Sequence, residues 1–160
     1  MNRVPRPESG NEKNIHKKMI YIEEKIYDRQ VDLLEFFYQH GKYDIIIWFY
    51  PEAKKRSICG LKLTPKGLME GEQVTIYGDG FKPKKTRRVN LTAELLEIIR
   101  NSAEDIQLNC DSLTLYSTEE NNWTACIIPH ERMGLVRDDE HLDSLTIEGL
   151  EPSLEKPEWW

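Results

Sequence analysis

Cysteine is scarce in this sequence, and its spacing excludes two common structural devices. Only three cysteines occur among 160 residues, at Cys59, Cys110 and Cys126. An odd number at wide separations does not build a disulfide framework, and no pair has the close spacing of a cysteine zinc motif. We therefore expect reduced, buried thiols that serve as small core residues.

Long apolar runs are also missing. The longest, Ile45–Tyr50, has six residues, whereas roughly 20 are needed to span a bilayer as a helix. Residues 1–14 contain no apolar core of the kind that marks a secretory signal. These two absences predict a cytoplasmic protein without a membrane segment.

Motifs for covalent or phosphate chemistry are absent as well. The sequence contains no GxSxG nucleophile motif, and Gly78-Asp79-Gly80 lacks the remaining residues of a phosphate-binding loop. We therefore expect no cofactor, and the sequence favours a non-enzymatic protein.

Charge is plentiful, and it is unevenly distributed along the chain. The net charge is −6. Residues 1–88 carry 18 Lys and Arg against 12 Asp and Glu, a balance of +6, whereas residues 89–160 carry 4 against 16, a balance of −12. The second half of the chain therefore produces most of the negative field.

Hydrophobic periodicity near the N-terminus predicts helix. Residues 1–11 contain two prolines and a glycine, and we expect them to form a flexible tail ahead of a single domain over residues 12–160. Apolar residues recur every three or four positions from Ile15 to Ile26, which predicts a helical segment over roughly residues 13–40, formed by one long helix or by a helix pair. A strand through residues 19–22 is the competing interpretation.

Strand patterns dominate the remainder of the chain. Runs of β-branched and aromatic residues predict strands at residues 43–50, 57–64, 73–77, 113–116 and 123–128, with 133–136 as a short edge strand. One inserted helix is predicted from Ala93 to Asn101, capped by Asn90 or Thr92, and a short one within 143–149. We therefore expect the α+β class: an N-terminal helical segment packed on a mainly antiparallel sheet.

The segment from Trp123 to Trp160 holds the most concentrated candidates for a site. His130 and His141 flank the acidic run Asp138-Asp139-Glu140, and imidazoles with carboxylates can bind a divalent metal or form an acid–base pair. The two histidines are eleven residues apart, which matches no established metal motif. A metal-dependent enzyme is therefore an alternative hypothesis and not the preferred one.

A second alternative hypothesis concerns the basic loop 82–88. Five of its side chains would be available to phosphates: Lys82, Lys84, Lys85, Arg87 and Arg88. Tyr77 and Phe81 lie nearby for base stacking. Because the acidic balance of the chain would repel nucleic acid, binding of nucleic acid is not the preferred hypothesis.

The preferred hypothesis is a non-enzymatic protein that binds a basic protein partner. Carboxylates would steer the partner and tryptophans would anchor it. The expected contact residues are Glu131, Asp138, Asp139, Glu140, Asp143, Trp123, Trp159 and Trp160. Such a composition is typical of bacterial immunity proteins and antitoxins that neutralise a toxin. Because exposed paired tryptophans favour aggregation, we expect the terminal pair to dock on the domain or on another subunit of a homo-oligomer.

Overall fold

The computed structural model describes residues 18–50, 52–53, 68–71, 84–118 and 122–160, with the backbone alone for 68–71 and 84–87. The tail expected at residues 1–11 and the strands expected at 57–64 and 73–77 lie outside the described residues. Among these residues, no helix is long and apolar enough to cross a membrane.

One antiparallel sheet of seven strands forms the centre of the fold. Its strands are, in spatial order, β5 (Val89–Asn90), β2 (Tyr43–Phe49), β6 (Cys110–Ser117), β7 (Trp123–Ile128), β8 (Met133–Val136), β1 (Ile20–Glu23) and β9 (Pro152–Ser153). A separate hairpin pairs β3 (Leu68–Gly71) with β4 (Lys84–Arg87). The strands predicted at 43–50, 113–116 and 123–128 are confirmed. The strand predicted at 133–136 is present, but it pairs with both β7 and β1 and is therefore not an edge strand.

Four α-helices accompany the sheet in the described part of the chain: α1 (Tyr27–His40), α2 (Ala93–Arg100), α3 (Ala103–Asn109) and α4 (Leu142–Ile147). The predicted inserted helix is confirmed as α2, and the Thr92 hydroxyl caps it by accepting the N–H of Leu95 at 3.1 Å. The short helix predicted within 143–149 is confirmed as α4, whereas α3 was not predicted. The protein thus belongs to the expected α+β class.

The prediction of one helical segment over residues 13–40 is wrong at β1. Ile20 and Ile22 are buried on one side, while Tyr21 and Glu23 lie on the other, which is the alternation of a strand. β1 pairs with β8 on one edge and with β9 on the other. These backbone pairings outweigh the local helix propensity, and the competing strand interpretation is confirmed.

Both faces of the sheet are buried. On the front face, α1 and α2 contribute a core that includes Phe37 and Ile99. On the rear face, eight side chains form a second cluster, the rear cluster: Ile46, Trp48, Tyr116, Trp123, Cys126, Ile128, Met133 and Leu135. Burial on both faces explains why β2 is almost continuously apolar.

The two described cysteines should be unreactive in the folded protein. Burial raises the pKa of the Cys110 thiol and of the Cys126 thiol to about 12, so the reactive thiolate is scarce near neutral pH. In a Cys59→Ser variant, we expect Ellman's reagent at pH 8 to label the folded chain only as fast as it opens, and to label the urea-unfolded chain at once. Equal labelling rates for the two states would contradict this expectation.

Candidate functional site

A mostly exposed series of carboxylates follows β8 in the sequence. We call it the acidic band and define it as the eight acidic residues Asp138, Asp139, Glu140, Asp143, Glu148, Glu151, Glu155 and Glu158. Asp138 and Asp139 are half-buried and the other six are exposed. Lys156 is the one lysine or arginine within the same stretch of sequence, so the band carries a strong local negative charge.

Contacts with α1 hold the acidic band in place. The His141 ring lies edge-on to Phe37, with ring centres 5.0 Å apart, near the C-terminal end of α1. Near the N-terminal end of α1, the Arg29 guanidinium donates to the carbonyl oxygen of Gly149 at 2.6 Å. The segment that carries the band therefore runs antiparallel to α1.

The segment changes direction at the end of α4 because of a helix-ending motif. The N–H of Gly149 donates to the Thr146 oxygen at 3.0 Å, and that of Leu150 donates to the Leu145 oxygen at 3.1 Å. Gly149 has φ +90°, as this Schellman motif requires and as glycine adopts readily. Leu145 and Leu150 are buried in the core, whereas Ile147 is 83% exposed.

Two clefts lie beside this segment. The Trp159 cleft, about 1000 Å³ in volume, is formed by the β1–α1 connection, the β7–β8 turn and the C-terminal segment, and is lined by Glu23, Ile26, His130, Glu131, Glu151 and Trp159 among others. The Trp123 cleft, about 790 Å³ in volume, is lined by Tyr43, Trp123, Arg137, Asp138, Glu140 and His141 among others.

The structure divides the predicted contact residues between these places. Glu131 and Trp159 line the Trp159 cleft, and Trp123, Asp138 and Glu140 line the Trp123 cleft. Asp139 lies in the 3-10 turn that precedes α4, and Asp143 lies in the first turn of α4. The predicted surface is therefore one band with a cleft near its beginning and another near its end, and not a single patch.

The three tryptophans of the predicted surface differ in their availability. Trp123 belongs to the rear cluster and is only 7% exposed. Trp160 packs against the rear cluster, lies edge-on to Tyr21 at 6.0 Å, and donates its indole N–H to the Glu131 carboxylate. Trp159 is 58% exposed. The terminal pair is thus docked on the domain, while the role of these rings as partner anchors stays a prediction.

His130 and His141 do not share a site. They lie at opposite ends of β8 and line different clefts. Four strand residues span about 13 Å, whereas a metal ion binds an imidazole nitrogen at about 2 Å. Among the residues that the structure describes, no group of three or more His, Cys, Asp or Glu has a metal-binding arrangement. The structure therefore gives no common ligand set to the two histidines.

A buried carboxylate orients His130 at the edge of the Trp159 cleft. Oδ1 of Asp111 lies 3.2 Å from Nε2 of His130, and the Ser112 hydroxyl donates to the other Asp111 oxygen at 3.3 Å. Asp111 is fully buried. A neutral ring that donates from Nε2 retains Nδ1 as an acceptor. His130 is therefore a fixed polar wall of the cleft, supported by a residue that the sequence analysis did not identify.

Arg88 does not belong to an exposed basic loop. Its side chain is fully buried, and Nε donates to Oδ2 of Asp44 at 3.0 Å while Nη2 donates to the carbonyl oxygen of Ser117 at 2.7 Å. The expectation that Arg88 contacts phosphates is wrong, because its guanidinium neutralises a buried carboxylate. Lys84, Lys85 and Arg87 lie in β4, and Lys82 lies outside the described residues.

The sequence analysis also missed the β1–α1 connection as a wall of the Trp159 cleft. Glu23, Lys25 and Ile26 line this cleft, but the sequence analysis placed them in the N-terminal helical segment. Ile26, at 57% exposure, interrupts the strand alternation directly before α1. Because this exposure is not visible in the sequence, no local signal identified the connection.

Comparison with known proteins yields no relative. No protein-family model, curated protein sequence or solved structure matches this chain. The function has to be inferred from the site itself.

Proposed function

We propose that this protein is a non-enzymatic cytoplasmic binding protein that recognises a basic protein partner through the acidic band and the adjoining clefts. The observation that carries the proposal is that exposed apolar side chains and exposed carboxylates come from the same segment. Six large apolar side chains are exposed in the described part of the chain, and three of them, Ile147, Leu154 and Trp159, lie between residues 138 and 160.

The two kinds of group have complementary roles in association. Exposed carboxylates attract a basic surface over a Debye length of about 8–10 Å and raise the rate of encounter. Apolar side chains gain about 25 cal/mol for each Å² that a partner removes from water. A segment that offers both has the composition of a protein interface, with aromatic anchors and a charged rim.

A nucleic-acid-cleaving toxin is a partner class that fits this surface. Such an enzyme must present positive charge to the phosphates of its substrate, and the acidic band would compete for that charge. The proposed role is therefore that of an immunity protein or antitoxin that covers the basic surface of its toxin. Nothing in this role requires a metal or a catalytic residue in the protein itself.

Charge reversal within the band should slow association with the partner and so weaken its capture. In the variant Glu148→Lys/Glu155→Lys/Glu158→Lys, all three altered side chains are exposed, so the fold should survive. The matched control, Glu94→Lys/Glu97→Lys/Glu104→Lys, makes the same change of net charge at exposed positions of α2 and α3. We expect association with the partner to slow about tenfold or more in the band variant only.

The measurement is affinity purification of the full chain from the native host, with the retained proteins quantified for wild type and both variants. We expect one stoichiometric basic protein that wild type and control retain and that the band variant retains in smaller amount. Expression of that protein alone should arrest growth, and co-expression of wild type or control should restore it. Retention of the same proteins by both triple variants would refute the proposal.

A further inference from the structure

We propose that the Trp159 cleft receives an arginine side chain of the basic partner. This inference rests on the proposed function and adds to it the chemical group that is recognised and the residues that recognise it. An arginine has an apolar stem and a flat cationic head, and the cleft offers a surface for each.

The apolar surface of the cleft is made by Trp159 and Ile26, both of which line it and are more than half exposed. The indole N–H of Trp159 donates to Oε2 of Glu23 at 2.9 Å, so the ring is held in one orientation while much of it stays accessible. A guanidinium stacks favourably on an indole face, and its methylene stem packs on aliphatic groups such as Ile26.

Three carboxylates of the cleft are available to the cationic head. Glu23 and Glu131 each accept one hydrogen bond from a terminal tryptophan. Because an indole N–H is uncharged, these bonds do not neutralise the charge of either carboxylate. Glu151 also lines the cleft, and its side chain is exposed. Planar carboxylates suit the paired N–H groups of a guanidinium better than they suit a lysine ammonium.

The cations of the cleft reduce this attraction without reversing it. Arg29 is paired with Glu24, with Nε and Oε1 2.9 Å apart, so these two charges cancel. Lys25 and Arg132 line the cleft as well. Against these two positive charges stand the three available carboxylates, and the nearby acids of the band add to the negative side. A guest of positive charge is therefore favoured over one of negative charge.

The cleft is also organised before any guest arrives. Hydrogen bonds to Glu23 and Glu131 fix both terminal tryptophans, and Trp160 packs against the rear cluster. Side chains that are already ordered lose little conformational entropy on binding, which leaves more of the contact energy as affinity. An ordered and exposed Trp159 ring is therefore suited to anchor a bound side chain.

The inference is tested on the full chain with small probes in place of the partner. Nα-acetyl-arginine N-methylamide carries the guanidinium, its citrulline analogue has the same shape without charge, and the glutamate analogue has the opposite charge. The readout is the ¹⁵N–¹H indole resonance of Trp159, assigned by its loss in Trp159→Phe. We expect saturable binding of the arginine probe in the millimolar range and weaker binding of the other two.

Two conservative variants localise the binding. Glu151→Gln should weaken the arginine probe about fivefold, because it removes one charge-assisted contact, whereas Glu94→Gln, at an exposed position of α2 outside both the band and the cleft, should leave it unchanged. Equal binding of the arginine and citrulline probes, tighter binding of the glutamate probe, or no effect of Glu151→Gln would each overturn the inference. The probe experiment contains no partner protein, so its failure would not change the result obtained with the band variants. Failure of the band variants would likewise not change the result of the probe experiment.

Discussion

Replacing Arg88 by methionine should destabilise the protein by about 3–5 kcal/mol, because the buried Asp44 carboxylate would lose the guanidinium that pairs with it. Both side chains are fully buried, and Nε of Arg88 lies 3.0 Å from Oδ2 of Asp44. The Arg88 guanidinium also lies over the Tyr116 ring, 5.0 Å from its centre. A single substitution thus removes a charge partner and a packing contact together.

The same pair makes a contrasting prediction for the double variant. Nη1 of Arg88 is buried and has no hydrogen-bond partner among the residues that the structure describes, so burial of the guanidinium carries a desolvation cost. Replacing both members with apolar groups, as in Asp44→Leu/Arg88→Met, should therefore recover much of the stability that Arg88→Met loses.

Urea unfolding of the full chain measures both effects. The control is Arg100→Met, which breaks partly exposed ion pairs with Asp28, Asp32 and Glu35, at distances of 2.7, 3.0 and 3.3 Å. We expect it to cost about 1 kcal/mol. An Arg88→Met variant as stable as this control would show that Asp44 is compensated by other groups.

The sequence analysis was accurate for features that depend on interactions between near neighbours in the chain, and inaccurate for features that depend on distant residues. β2 and α2 were predicted correctly, because a β-branched aromatic run and a capped amphipathic turn are local signals. β1 was assigned wrongly, because its pairing with β8 joins residues far apart along the chain. Local propensity alone favoured helix there, and only the pairing decided the outcome.

The candidate site shows the same division. The composition of the acidic band is visible in the sequence. The association of its two ends with different clefts is not, because it depends on where β8 and α4 place those ends. The ion pair between Arg88 and Asp44 joins positions 44 residues apart, and the contact between His130 and Asp111 joins positions 19 apart. The sequence pattern of the basic loop and of the acidic segment does not predict contacts with residues so far away in the chain.

Truncation of Phe37 to alanine should have an effect of similar size, about 3–5 kcal/mol, because it opens a cavity in a core that cannot collapse fully. The Phe37 ring is fully buried and lies edge-on to Tyr43 at 5.6 Å and to His141 at 5.0 Å. His141 leads directly into α4. Loss of the ring should therefore loosen the acidic band in addition to lowering global stability.

Hydrogen exchange separates the local effect from the global one. Ile99→Ala is the matched control, since Ile99 is equally buried in the same core but lies on α2, and it should cost about 2–5 kcal/mol. In Phe37→Ala we expect the amides of α4 to lose more protection than those of α2, and in Ile99→Ala the reverse. If both variants lowered protection uniformly, the band would not depend on the contact between Phe37 and His141. If the expected order holds, α1 is the support that keeps the band in position for a partner.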